Sequence, residues 1–186
     1  DEEGKTSAFV VQLAQDLELF SEGAPPANTL FVLGRVARLS PDALIQSQLL
    51  IIDPPPDVTQ RFRLDGDVAV LFTGAPIDVG LAQVQTMAGG VAHVRVGEHY
   101  LDIYSEPAGV IAYLPALGLL LGGGFGSDAL PPALATGSDG RVEMDLLRLL
   151  ARLLKTQHFQ LFIPRAGSLL QDKQAVMARF ADDVGY

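Results

Sequence analysis

The sequence predicts an α/β (α+β) layered domain that spans residues 1–186. Short apolar runs of strand length fill its first half, and its second half alternates strands with segments of helical periodicity. A chain of 186 residues corresponds to one domain with a substantial core. Hydrophobic residues make up 48% of the chain and charged residues 19%, a balance that excludes a disordered segment.

The first half reads as strands separated by Gly, Pro and Asp. A single helical turn is expected near Ser40, which can cap a helix that has Pro41 in its first position. Residues 79–87 have the pattern of a short helix that ends at a pair of glycines. The predicted strands cover residues 9–13, 17–20, 28–33, 49–52, 67–72, 91–96 and 101–104.

The second half opens with a stretch of 18 residues, 108–125, that carries no charge. Spanning a bilayer takes about 20 apolar residues in a continuous helix. Pro115 and five glycines within this stretch oppose such a helix. We therefore expect a hairpin with strands at residues 110–114 and 119–121.

Helices and one strand complete the second half. A helix is predicted over residues 142–154, with Ser138 or Asp139 as its cap. A strand over residues 159–163 leads to a last helix over residues 171–183, whose inward positions are Val176, Met177 and Phe180.

The first of these helices has more apolar residues than one face can hold. Met144, Leu147 and Leu154 lie beyond the face that the other leucines define. Surplus apolar surface predicts a homodimer, with these residues and the apolar loop over residues 125–134 in the interface. The alternative is a monomer whose leucines all belong to the core.

Charge and cysteine content exclude several kinds of partner. The chain has 13 Lys and Arg against 22 Asp and Glu, which gives a net charge of −9 and a pI near 4.6. Such a surface repels phosphate backbones and anionic lipids, so neither nucleic acid nor a membrane is expected as a partner. The absence of cysteine excludes disulfides and thiolate metal sites. Residues 1–7 lack the layout of a secretory signal, so the expected location is cytoplasmic.

Candidate catalytic motifs are weak. The glycine-rich residues 122–126 follow a strand, as a phosphate loop would, but no Lys-Ser/Thr pair opens a helix after them. A structural turn is therefore expected there. Gly167 and Ser168 lack the second glycine of a nucleophile elbow.

The remaining ionisable candidates are three histidines and three carboxylates. His93, His99 and His158 share no spacing that zinc ligands use, so each is interpreted as structural. The carboxylates Asp53, Asp78 and Glu106 each follow an apolar run, and their convergence as an acid–base pair stays open.

Short motifs occur in a characteristic order along the chain. They are Pro26-Ala27-Asn28-Thr29 before a strand, a strand ending at Asp53, the turn over residues 73–80, the segment over residues 105–115, the strand leading to Gly124, and Pro164-Arg165-Ala166-Gly167. In this order and spacing the chain resembles the metallo-β-lactamase superfamily over nearly its whole length. The resemblance implies an αββα four-layer sandwich, with two mixed sheets face to face and helices outside.

The same resemblance implies that the metal ligands are lost. The family's first metal motif falls on Gly74, Pro76, Asp78 and Val79; its next His falls on Glu106, its bridging Asp on Gly124 and its last His on Ala166. Glycine, proline, valine and alanine have no side-chain donor, so five of the seven positions cannot coordinate a metal. No metal or other cofactor is therefore expected.

Two functions follow as expectations. The leading one is a non-catalytic member of this superfamily, a binding or assembly module with an unidentified small molecule as a further candidate partner. The alternative is a hydrolase of the metallo-β-lactamase-like type that acts on a small ester or lactone-like substrate, with Asp78 and Glu106 as acid and base. A metallohydrolase with other ligands is disfavoured, since no His lies between residues 54 and 92.

The loss of ligands also predicts a cleft at the strand ends. We expect its floor to consist of Gly74, Pro76, Gly124 and Ala166. Its wall should hold Asp53, Asp78 and Glu106, with backbone N–H groups of residues 74–80 directed at Asp78 or Asp53 because no cation balances their charge.

Overall fold

The computed structural model describes residues 8–34, 49–52, 69–73, 83–86, 91–106, 109–132, 134 and 137–186. These residues form strands that build two sheets, and two helices near the carboxyl end of the sequence. The strands are β1 (Ala8–Ala14), β2 (Leu17–Glu22), β3 (Ala27–Leu33), β4 (Leu49–Ile52), β5 (Ala69–Thr73), β6 (Gln83–Thr86), β7 (Val91–Val96), β8 (His99–Glu106), β9 (Gly109–Leu114), β10 (Leu119–Leu121) and β11 (Leu161–Ile163). The helices are α1 (Arg141–Thr156) and α2 (Lys173–Gly185).

Both sheets are mixed. The first has the order β1-β2-β3-β4-β5-β6; its strands pair antiparallel from β1 to β4, and β5 and β6 then continue in parallel. The second has the order β11-β10-β9-β8-β7, antiparallel except for the parallel pair of β10 and β11. The predicted α/β (α+β) class with two mixed sheets is confirmed.

The sheets bury their facing sides against each other. Alternate residues of β2, β3 and β4 point toward the second sheet, as the period of two in a strand requires. Their partners come from all five strands of the second sheet, and together they form the main core. Its fully buried members include Leu17, Leu30, Leu50, Val96 and Ile103.

The helices α1 and α2 cover the other side of the second sheet. Ile111, Leu120 and Phe162 project from that side and pack against leucines of α1 and against Phe180 of α2. The strand β9 is therefore buried on both faces, which explains why its sequence is a continuous apolar run. The predicted hairpin of β9 and β10 is confirmed by their antiparallel register. Neither helix of the described residues is long and apolar enough to cross a membrane.

Two local predictions were wrong. Residues 83–86, expected within a helix, form the strand β6, which pairs in parallel with β5. A short segment whose hydrophobic period is ambiguous adopts the structure in which a neighbouring strand satisfies its backbone hydrogen-bonding groups.

The helix α1 is capped by Gly140, which has φ 81°, rather than by Ser138 or Asp139. These two side chains instead accept hydrogen bonds from the backbone N–H groups of Gly140 and Arg141.

The surplus apolar positions of α1 belong mostly to the core. Leu147 and Leu154 are only 5% and 1% exposed, because they pack with the outer face of the second sheet. Phe125, at the start of the apolar loop, is 1% exposed. Their expected place in a dimer interface was therefore wrong. Leu130 and Leu134 of the same loop are exposed.

Candidate functional site

Several strands end at one edge of the sandwich. The strands β10 and β11 run in parallel with Leu121 opposite Ile163, so their carboxyl ends lie side by side. Gly124 and Ala166 each follow this pair by three residues. The structure therefore brings together two positions that are far apart in the sequence.

The strands of the first sheet reach the same edge. The backbone N–H of Asn28, at the beginning of β3, donates to the carbonyl of Arg165 at 2.8 Å. Because β4 is antiparallel to β3, the carboxyl end of β4 also arrives there, and Ile52 lines the same slot as Arg165. The strand β5 follows β4 in parallel and ends at this edge too.

This topology accounts for part of the predicted site. Glu106 is the last residue of β8, which runs in the same direction as β10 because each is antiparallel to β9. Five of the predicted site residues lie outside the described residues, and so do the predicted hydrogen bonds of residues 74–80; these five are Asp53, Gly74, Pro76, Asp78 and Val79.

Asn28 connects the two sheets at this edge. Its side-chain amide donates to the carbonyl oxygens of Pro164 at 2.9 Å and Gly167 at 3.1 Å. The hydroxyl of Ser21 donates to its Oδ1. Asn28 is 7% exposed, so these bonds are made away from water, where leaving a polar group without a partner is costly. They hold the segment that carries Ala166 against β3.

The glycine-rich loop after β10 is explained by packing. Gly123 has φ +55°, and a Cβ there would lie 2.6 Å from the carbonyl oxygen of Val110. A side chain on Gly122 or Gly126 would overlap the ring of Phe162. These glycines let the loop turn tightly over β9 and β11.

A polar network fixes this loop to the segment after β11. Asp128 accepts from the backbone N–H of Ser168 at 2.9 Å and pairs with Arg179 of α2 at 3.3 Å. Arg179 also donates to the carbonyls of Gly126 and Ser168. The Ser168 N–H and hydroxyl, helped by the charge of Arg179, lower the pKa of Asp128 below its ordinary value. Asp128 is therefore held as a carboxylate.

The slot between these strand ends is very small. Its volume is about 10 Å³, and its lining includes Asn28, Val110, Gly123 and Arg165. A cavity of that size holds at most about one water molecule. The predicted cleft stays a prediction, because Asp53, Gly74, Pro76 and Asp78 of its floor and wall lie outside the described residues.

The histidines take part in separate local contacts. His93, on the edge strand β7, forms a hydrogen bond with the carboxylate of Asp102 at 2.6 Å, and His99 forms one with the carbonyl of Gln15 at 2.6 Å. His158 accepts the Tyr113 hydroxyl at its backbone carbonyl. In the described part of the chain, no three His, Cys, Asp or Glu residues come close enough to hold a metal ion.

Sequence reasoning missed the residues that organise this edge. Asn28 belongs to the quoted motif at residues 26–29, yet its role depends on carbonyl groups 136 and 139 residues away. Asp128 and Arg179 carry no local signal, because their partners come from other segments. The one signal in the sequence was an asparagine that precedes the apolar run of a strand.

Comparison with known proteins adds a fold assignment. The amino-acid sequence matches no protein-family model and no curated protein. The structure is similar to that of a metallo-beta-lactamase from Pontibacter korlensis, with a TM-score of 0.60 and 13% sequence identity. The match covers 97% of this chain and 100% of that protein. The chain has the metallo-β-lactamase fold.

Two other solved structures share this metallo-β-lactamase fold. The Flv1 flavodiiron core from Synechocystis sp. PCC6803 matches 98% of this chain with a TM-score of 0.58 and 14% identity. The inverting sec-alkylsulfatase Pisa1 from Pseudomonas sp. matches 95% of it with a TM-score of 0.56 and 14% identity. The chain spans 62% of the flavodiiron core and 41% of the alkylsulfatase. At these identities the likeness concerns the fold.

Proposed function

We propose that this protein is a non-catalytic metallo-β-lactamase-fold protein that has lost its metal ligands and acts as a binding or assembly module. The observation that carries the proposal is the pair Gly124 and Ala166. These positions match the bridging Asp and the last His of the superfamily's pattern, and they lie at the edge where the strands converge. Neither has a side-chain donor for a metal ion.

The residues present do not fit a metal pair. Three further positions, Gly74, Pro76 and Val79, also lack a side-chain donor for a metal ion. Two carboxylates, Asp78 and Glu106, offer no imidazole and too few ligands for a closed zinc site. Without a bound cation, a water molecule keeps its high pKa and is a poor nucleophile at neutral pH.

Elemental analysis of the purified protein is expected to find no stoichiometric zinc, iron or manganese. The reason is the lack of donors at five of the seven matching positions. The measurement is made after dialysis against zinc, manganese and iron salts, with Asp78→Ala as a parallel sample. About one or two metal ions per chain, lost in Asp78→Ala, would contradict the proposal.

The same preparation tests the hydrolase alternative. We expect no hydrolysis of 4-nitrophenyl acetate above the level of a buffer blank. Turnover that falls in both Asp78→Asn and Glu106→Gln would favour the alternative, in which Asp78 and Glu106 act as acid and base on an ester or lactone.

The proposal includes a homodimer formed through β1. This strand lies at the edge of the first sheet as described, and its side chains Phe9, Val10 and Val11 are 46%, 57% and 39% exposed. An exposed apolar edge strand is a template for pairing with another chain. Two copies of β1 can pair antiparallel across a two-fold axis and join their sheets.

A cytoplasmic location and a single domain over residues 1–186 are further parts of the proposal, supported by composition and length.

Val10→Lys is expected to convert a dimer into a monomer. A two-fold axis through β1 brings the two lysines close together, and like charges oppose strand pairing. Light scattering coupled to size exclusion should give a mass near twice 19.8 kDa for the parent and near 19.8 kDa for the variant.

Val91→Lys is the matched control. Val91 is 49% exposed on β7, the edge strand of the second sheet, so the same substitution there should leave the dimer intact. A monomeric parent would remove the assembly part of the proposal. A dimer that Val91→Lys disrupts and Val10→Lys does not would place the interface on the other sheet.

A further inference from the structure

A second cavity lies in the helical layer, away from the strand-end edge. It is enclosed by the loop after β10, the first turns of α1 and the last turn of α2, and its volume is about 320 Å³. Its floor includes Phe125 and Leu147, which are 1% and 5% exposed. Leu134 and Val184 line it as well, and both are more than half exposed. This volume lies at the lower end of the range for small-molecule sites.

Two carboxyl groups lie in the wall of this helical pocket. Glu143, in the first turn of α1, is 3% exposed and accepts the hydroxyl of Ser138 at 2.6 Å. Asp183, near the end of α2, accepts the backbone N–H of Gly126 at 2.6 Å. These hydrogen bonds fix both carboxyl groups to the pocket wall.

The described lining of the pocket is acidic. Besides apolar side chains, Ser138 and Gly140, its described residues are the acids Asp139, Glu143 and Asp183, with no Lys, Arg or His among them. Asp139 also pairs with the exposed Arg141 at 3.2 Å, so Glu143 and Asp183 are the acids that define the site. The amino end of α1 favours an anion, but Glu143 in the first turn already supplies that negative charge. An anionic ligand would lie against the carboxyl groups of Glu143 and Asp183, so the pocket selects against it.

We propose that the helical pocket binds a small organic cation, a molecule with an apolar body and one ammonium group. The apolar body packs over the floor at Phe125 and covers Leu134 and Val184, whose exposed apolar surface it removes from water. The ammonium group donates to the carboxylates of Glu143 and Asp183, and charge-assisted hydrogen bonds of this kind are stronger than neutral ones. A neutral ligand of the same shape would remove water from the carboxylates without replacing their hydrogen bonds. This site is separate from the strand-end edge on which the proposed function depends.

Titration calorimetry with 2-phenylethylammonium tests this proposal. Burial raises the pKa of the Asp183 carboxyl above its ordinary value, against the opposing hydrogen bond from the Gly126 N–H. The titration is therefore made at about pH 7.5, well above the ordinary range of carboxyl groups. The ammonium compound should bind about tenfold more tightly than 2-phenylethanol, which has the same body without the charge. The anion 3-phenylpropanoate should not bind.

Variants identify the carboxyl groups. Asp183→Asn keeps an oxygen that can accept the Gly126 N–H, and it should weaken binding of the ammonium compound about tenfold while leaving binding of the alcohol unchanged. Glu143→Gln should act in the same direction. Asp145→Asn is the matched control, because Asp145 is an exposed acid of α1 outside the pocket lining and pairs with Arg148.

Three results would overturn the proposal. They are no heat of binding for 2-phenylethylammonium, equal affinity for the ammonium compound and the alcohol, and equal affinity of Asp183→Asn and Asp145→Asn for the ammonium compound. Circular dichroism shows whether Glu143→Gln folds; if it does not, Asp183→Asn decides the question. None of these results depends on metal content or on dimer formation.

Discussion

Replacing Phe162 with alanine is expected to destabilise the fold by about 3–5 kcal/mol. Phe162 is fully buried in β11, and its ring meets that of Phe180 edge to face, with centroids 5.4 Å apart. The ring also fills the space that the missing side chains of Gly122 and Gly126 leave open. The substitution would therefore leave a cavity where the second sheet, α2 and the glycine-rich loop meet.

Chemical denaturation followed by circular dichroism measures this effect. Tyr100→Ala is the control, because Tyr100 is 61% exposed on β8, away from β1, and its truncation leaves no internal cavity. We expect the control to lose about 1 kcal/mol or less. Similar losses in the two variants would show that the ring of Phe162 is not the packing centre of this region.

Asn28→Ala is expected to cost about 2–3 kcal/mol of unfolding free energy. The alanine leaves the carbonyls of Pro164 and Gly167 without their donor and the hydroxyl of Ser21 without its acceptor. The cost is high because the position is 7% exposed, so water replaces these bonds only if the structure opens.

Asn28→Asp separates hydrogen bonding from volume. Aspartate has the same shape but no amide donor, and it places a negative charge against two carbonyl oxygens. It should therefore be at least as destabilising as the alanine. Gln12→Ala, which truncates an exposed amide on β1, should change the unfolding free energy by about 0.5 kcal/mol or less. A fully stable Asn28→Asp would mean that the amide does not hold the two sheets together.

Periodicity in the sequence predicted most of the described strands and both helices. The run at residues 110–114 is apolar at every position because β9 is covered by the first sheet on one side and by the helices on the other. Such an apolar run depends only on burial of the strand, so the strand can be predicted from its own residues. The segment of β6 could not be read in this way, because only its pairing with β5 distinguishes it from a helix.

The candidate site was predicted in part. The sequence order implied that Gly124 and Ala166 belong together, and the parallel register of β10 and β11 places both at the same edge. Asn28 and the glycine-rich loop close around a slot of about 10 Å³ at this edge. The expected cleft stays a prediction, because its members Gly74, Pro76 and Asp78 lie outside the described residues. Such closure depends on how segments pack, which spacing along the chain does not reveal.

The sequence by itself determined which side-chain donors are absent at the positions that resemble metal ligands. Residue type alone decides that Gly74, Pro76, Gly124 and Ala166 supply no side-chain metal ligand, whatever the fold. Only the tertiary structure decided that Asn28 binds carbonyl groups 136 and 139 residues away, and that two acids from different helices share one pocket. The physical reason is that composition and periodicity reflect residues that are neighbours along the chain. A strand register or a cavity, by contrast, exists only after distant segments have packed together.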